Sequence, residues 1–234
     1  MFSQILKALR ARRIAEELLT ELDQMLSRAA WMFDRASSVL QRTVTAEEVR
    51  ESLYRRDREV NELERSMRRK IIRHLTINPG SEVAGCLMFM SLAKDAERIG
   101  DYCKNVFEVG VFFRRQLRVE RYAGPLNEVR QQVQAMFEQA RHAIGQASPD
   151  TAKSVIDSAG QISKQCEDVV HQLLQEHHEL DTDEAVAYSL LARHYKRVSA
   201  HLSNICTAVV SPIDMLDFHD EPKRLDEAPP PDQP

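Results

Sequence analysis

The chain has 234 residues, 29% of them charged, a formal net charge of −4, and only seven glycines and 6% aromatic residues. So little glycine beside so much Arg, Glu, Gln, Leu and Ala favours helix and leaves little to punctuate strands, and the net negative charge speaks against a nucleic-acid binder. The charge is uneven: residues 1–118 hold 22 Lys/Arg against 17 Asp/Glu, a surplus of +5, whereas the rest hold 10 against 19, a deficit of −9.

The N-terminal stretch MFSQILKALRARR has basic residues but no uncharged apolar run, so it does not read as a secretory signal. It reads as a basic helical extension over residues 1–12, either a continuation of the first helix or an amphipathic docking segment. A first helix is predicted from about Gln4 or Arg13 to Gln41. Thr45-Ala46-Glu47-Glu48 is a capping box that opens a second, which stops before Asn78-Pro79-Gly80. A third is expected from near Ser81 to Arg118, and a fourth from Gly124-Pro125 to Gly145. The fifth spans about Thr151 to His178; Asp181 or Asp183 caps a sixth, which ends by Pro212. Residues 213–234, ending EPKRLDEAPPPDQP, read as a disordered, proline-rich acidic tail. The longest uncharged apolar run, Val83 to Ala93, is shorter than the ~20 residues needed to span a bilayer. Cys86, Cys103, Cys166 and Cys206 lack CxxC spacing and are expected to be reduced, buried thiols of a cytoplasmic protein.

The third helix carries a core stripe, Leu92, Ala96, Ile99, Cys103, Val106, Gly110 and Phe113, in alternating steps of four and three. Glu97 and Asp101 share a face off that stripe, their directions turned from it by about 140° and about 180° at ~100° per residue. Two carboxylates four apart on a helix repel. Either a cation relieves them, or Lys94, Arg98 and Lys104, each three residues from one of the acids, offset them on a solvated face. A core diiron site is excluded, because no histidine has a Glu three residues before it.

The chain also repeats itself. Met32-Phe33-Asp34-Arg35-Ala36 matches Met136-Phe137-Glu138-Gln139-Ala140, while Leu92-Ala93, Ile99 and Asn105-Val106 match Leu191-Ala192, Val198 and Asn204-Ile205. Two three-helix units follow, 13–118 and 122–212, in an all-α fold of two tandem three-helix bundles.

Glu97-Arg98-Ile99-Gly100-Asp101-Tyr102-Cys103-Lys104-Asn105-Val106, preceded by RDREVNELERSMRRKI, resembles the signature of the PhoU family, bacterial regulators of phosphate uptake. The resemblance implies the same six-helix architecture. It also implies a surface metal ion or cluster (iron, zinc, manganese or magnesium, and no organic cofactor) held by Glu97 and Asp101, with Asp57 and Asn61 as further ligands. The second repeat departs from the pattern: Glu97 aligns with Lys196 and Asp101 with Ala200, so one site per chain at most is expected.

By the same resemblance the chain is no enzyme. It would repress the phosphate-starvation response through contacts with a phosphate transporter's ATPase subunit and a sensor histidine kinase. The alternative is an accessory or metal-binding subunit of a sodium–phosphate or other anion transporter. No nucleic acid and no membrane insertion are expected, and apolar residues near Val111-Phe112-Phe113 suggest a homodimer. The histidines, among them His177, His178, His194 and His201, read as surface residues. The basic run Arg68, Arg69, Lys70 and Arg73 reads as a solvated face, and Trp31 as core.

Overall fold

The computed structural model describes residues 13–80, 82–175 and 180–216. The extension over residues 1–12, His177, His178 and the tail from 217 lie outside the described residues. Six long helices carry the fold: α1 Arg13–Leu40, α2 Ala46–Ile77, α3 Val83–Phe112, α4 Glu120–Gln146, α5 Pro149–Gln175 and α6 Thr182–Val210. There is no strand among the described residues. Helices α1, α2 and α3 pack on one another, and so do α4, α5 and α6. The two bundles join along α1 with α4 and along α3 with α6. This is the all-α, tandem three-helix architecture expected from the sequence.

The join relates the repeats to each other. Phe33 and Phe137, the matching residues of the two repeats, meet at 5.8 Å between ring centroids, and Tyr195 of α6 packs edge-on to Phe33 at 5.6 Å. All three are buried, and each phenyl ring contributes roughly 1.5–3 kcal/mol by leaving water. Every member of the predicted α3 stripe, from Leu92 to Phe113, is buried. At its end Gly110 lets α3 press against α1, since a Cβ there would stand 3.1 Å from Val39 Cγ1.

The capping box forms as the sequence predicts: the Glu48 amide donates to Thr45 Oγ1 (3.4 Å) and the Thr45 amide to Glu48 Oε2 (3.0 Å). Helices α1 and α4 end alike, without glycine. Arg42 (φ 60°) and Ala147 (φ 47°) take the left-handed position. Thr43 and Ser148 then donate back to the carbonyls of Ser38 and Ala143 at 3.0 and 2.9 Å, the Schellman closure. So α4 runs past Gly145 to Gln146 and closes through Ala147 and Ser148, just before Pro149, and it begins at Glu120, before Pro125, which lies inside the helix.

Helix α3 stops at Phe112, six residues short of Arg118, because tertiary bonds pull the chain away. Arg42 donates to the carbonyls of Gly110 (2.9 Å), Phe113 and Arg115 (3.2 Å), capping the end of α3. Arg115 then grips Asp181 and Asp183 at the start of α6, both at 2.7 Å. Past α6 the chain does not loosen at 213: Ile213–Met215 form a 3-10 turn and Leu216 is buried.

Candidate functional site

The acidic motif lies along the groove between α2 and α3. On α2 the buried stripe runs Val49, Leu53, Asp57, Val60, Glu64, Met67 and Ile71, so two acids seven residues apart stand on its inward side. Spacing alone would put Val60, Leu63, Met67 and Ile71 on one seam of α2, but Leu63 is only half-buried, and Glu64 takes the buried position.

On α3 the residues facing that groove are two acids flanked by two lysines: Lys94, Glu97, Asp101, Lys104. Lys94 Nζ lies 2.6 Å from Glu97 Oε2. Lys104 Nζ donates to Asp101 Oδ1 at 2.9 Å and to both oxygens of Asp57 at 3.3 and 3.4 Å. The Glu97 side chain is 15% exposed and that of Asp101 45%, so the pair lies off the core stripe, with Glu97 largely covered and Asp101 nearly half in water. Asn61, one turn after Asp57 and half-buried, takes no part in this network.

Electrostatics follow from that geometry. Burial raises the Glu64 carboxyl above its ordinary pKa; Arg68, at 2.7 Å, pulls it down, and the charge of Glu97 pushes it up again. Burial opposes the charge of Lys104, but its bond to Asp101 and the charges of Asp57 and Asp101 outweigh that and hold its pKa above the ordinary lysine value.

A hard divalent ion wants several oxygen ligands around one point. Among the described residues no three of His, Cys, Asp and Glu gather in that way. The place between the Asp57 and Asp101 carboxylates is held by the Lys104 ammonium. As arranged, these side chains fit an ammonium and not a metal ion.

In the second repeat the acids are replaced one by one. From Leu53 and Val155 onward the buried stripes of α2 and α5 superpose at a constant offset, placing Ala159 at Asp57 and Cys166 at Glu64. On α6, Lys196 and Ala200 stand at Glu97 and Asp101. Lys196 Nζ instead pairs with Glu167 Oε1 at 2.5 Å.

The profile of the PhoU domain matches this sequence twice, over residues 22–109 and 126–209. The chain belongs to the PhoU domain family. PhoU from Pseudomonas aeruginosa has a similar fold, with a TM-score of 0.74 at 20% identity, covering 86% of this chain and 97% of that one. The phosphate transport system regulatory protein PhoU from Streptococcus pneumoniae has a TM-score of 0.69 at 18% identity, covering 88% and 97%. Among curated protein sequences none is significantly similar. The acidic-x-x-x-Asp segment of this PhoU-family chain lies inside the first matched repeat.

Several side chains expected at the surface are not there. His194 and His201 of α6 are buried, and His201 Nδ1 lies 2.7 Å from the buried Asp95 Oδ1 of α3. Tyr102 stacks on His201 at 5.7 Å and tilts against His194 at 5.9 Å. Trp31 is half-buried under the Arg56 guanidinium, which sits 3.6 Å from the ring centroid. In the run Val111-Phe112-Phe113, Phe112 is 81% exposed but Phe113 is buried. Phe112, Val186 and Leu190 border a groove between the end of α3 and the start of α6.

The basic run is partly paired, Arg68 with Glu64 and Lys70 with Glu17 and Glu21. All four cysteines are free and buried, as expected. None of the described helices is long and apolar enough to cross a membrane.

Proposed function

We propose that this chain is a regulator of phosphate transport that works through protein contacts and not through chemistry. The observation that carries the reading is the double match to the PhoU domain, supported by the likeness in fold to two PhoU proteins. On this reading the six helices act as one platform, consistent with the contacts of Phe33, Phe137 and Tyr195 and the Asp95–His201 bond across the bundle joint.

On this reading, one face of the platform meets a phosphate transporter's ATPase subunit and another a sensor histidine kinase, in the cytoplasm. The complex holds the starvation response off while phosphate is plentiful. The chain acts as a homodimer or with those partners.

The test is genetic. Deleting the gene should leave a phosphate-starvation reporter switched on in phosphate-rich medium, and restoring the full chain should switch it off. A reporter that stays repressed after deletion contradicts the reading.

One observation favours a second reading. The second repeat has lost all four acids, a divergence suited to an accessory subunit of a sodium–phosphate or other anion transporter. A neighbouring permease gene, with no kinase gene, would favour it.

A further inference from the structure

Along the α2–α3 edge the chain brings its own cation. Lys104 follows Asp101 by three residues on α3, the spacing that sets its ammonium beside that carboxylate, and the same ammonium reaches across the groove to Asp57 on α2. The Asp57 side chain is only 13% exposed and that of Lys104 only 24%. A buried carboxylate demands a compensating charge with good hydrogen bonds, and Lys104 supplies three contacts from one nitrogen. A divalent cation between the same two carboxylates would have to displace that nitrogen.

We infer that Lys104 is a tethered substitute for a metal ion, joining α2 to α3 through Asp57 and Asp101, so that this edge is complete without metal. The second repeat reaches the same end with a different residue. There Lys196, at the position of Glu97, joins α6 to Glu167 on α5. Each third helix therefore reaches an acid on the second helix of its own bundle with a lysine. The inference rests on this geometry and stands apart from the regulatory role.

The experiment uses the full chain without a histidine tag: wild type, Lys104→Met, and Lys104→Met combined with Asp101→Asn. Each is titrated with Mn²⁺ and followed by thermal unfolding and by the electron paramagnetic resonance of free Mn²⁺. The wild-type Tm should not move with EDTA or with millimolar Mn²⁺. Lys104→Met should unfold earlier, bind Mn²⁺ and recover a few degrees of Tm as ligand binding stabilises the folded state. The double variant should lose that response.

A wild type that binds Mn²⁺ or loses Tm in EDTA overturns the inference, as does a folded Lys104→Met that ignores Mn²⁺. If Lys104→Met does not fold, the wild-type titration decides alone, a null response supporting the inference and a Mn²⁺ response contradicting it.

Discussion

His201 Nδ1 of the second repeat lies 2.7 Å from Asp95 Oδ1 of the first, and both side chains are buried. Asn204, one turn further along α6, adds its Nδ2 at 3.5 Å. The repeat alignment that pairs Leu92 with Leu191 also pairs Asp95 with His194 and Tyr102 with His201. Apart from Asn204, the polar residues at this joint are thus the same two positions of each repeat, filled differently: acid and tyrosine on α3, two histidines on α6. A joint built from unlike residues favours the pairing of the two repeats within one chain.

Removing either partner leaves the other buried without its bond, which costs about 1–3 kcal/mol, more if the pair is charged. Asp95→Ala and His201→Ala should each lower the urea unfolding midpoint. In a double-mutant cycle the two losses should overlap by more than about 0.5 kcal/mol. Additive losses would show that the two side chains do not interact.

His194 gives the joint a pH dependence. Burial, and secondarily the charge of Arg193, depress its pKa to about 4 from an ordinary 6.5. The fold therefore favours the neutral ring. That contribution is fully present above pH 6.5 and is lost as pH falls toward 4. At about 1.4 kcal/mol per pKa unit the loss over that window amounts to about 3 kcal/mol. Unfolding free energy measured across that window should fall less steeply in His194→Gln than in the wild type.

Arg42 closes two helices at once. It occupies the left-handed position after α1 and donates to carbonyls at the end of α3. Arg42→Ala should cost about 1.5–3 kcal/mol, the range for hydrogen bonds from a charged group. Arg42→Lys should recover little, because a single ammonium cannot reach diverging carbonyls as the planar fork does. Denaturant midpoints of both variants check this.

Ala147 holds the equivalent place after α4 at φ 47°, with its methyl buried in the core. Ala147→Gly should raise stability by about 0.5 kcal/mol, since relief of the left-handed Cβ penalty, about 1–2 kcal/mol, outweighs the loss of a buried methyl, about 0.8 kcal/mol. Gly110→Ala should do the opposite, by about 1 kcal/mol or more, because the added methyl meets Val39 at 3.1 Å. Thermal unfolding of the two variants should move Tm in opposite directions.

Much of the fold was legible because it rests on local pattern. The stripe from Leu92 to Phe113 and the Thr45–Glu48 capping box are periodic or short-range signals with the structural roles expected of them, and the Phe33/Phe137 match marks the repeat, though not that the two rings meet. The acidic motif is legible as a motif, but in the sequence the ammonium at its centre is only an i,i+3 neighbour of Asp101. The reach of Lys104 to Asp57, 47 residues away in sequence, needs the packing of α2 on α3. The buried histidines were missed for the same reason: Asp95 and His201 are 106 residues apart, and a polar residue beside an apolar stripe reads as solvated until its partner is known. Glu64 displaced Leu63 from the seam because α2 turns its acids toward α3. The early end of α3 is written in Arg42 and Arg115, outside the helix it terminates.

Co-purification tests the functional account most directly. The full chain, expressed at native level in its own host and cross-linked in phosphate-rich cells, should carry down the phosphate transporter's ATPase subunit and a sensor histidine kinase, and lose them when phosphate is withdrawn. Recovery of neither protein under rich phosphate, with the chain itself recovered folded, would contradict it.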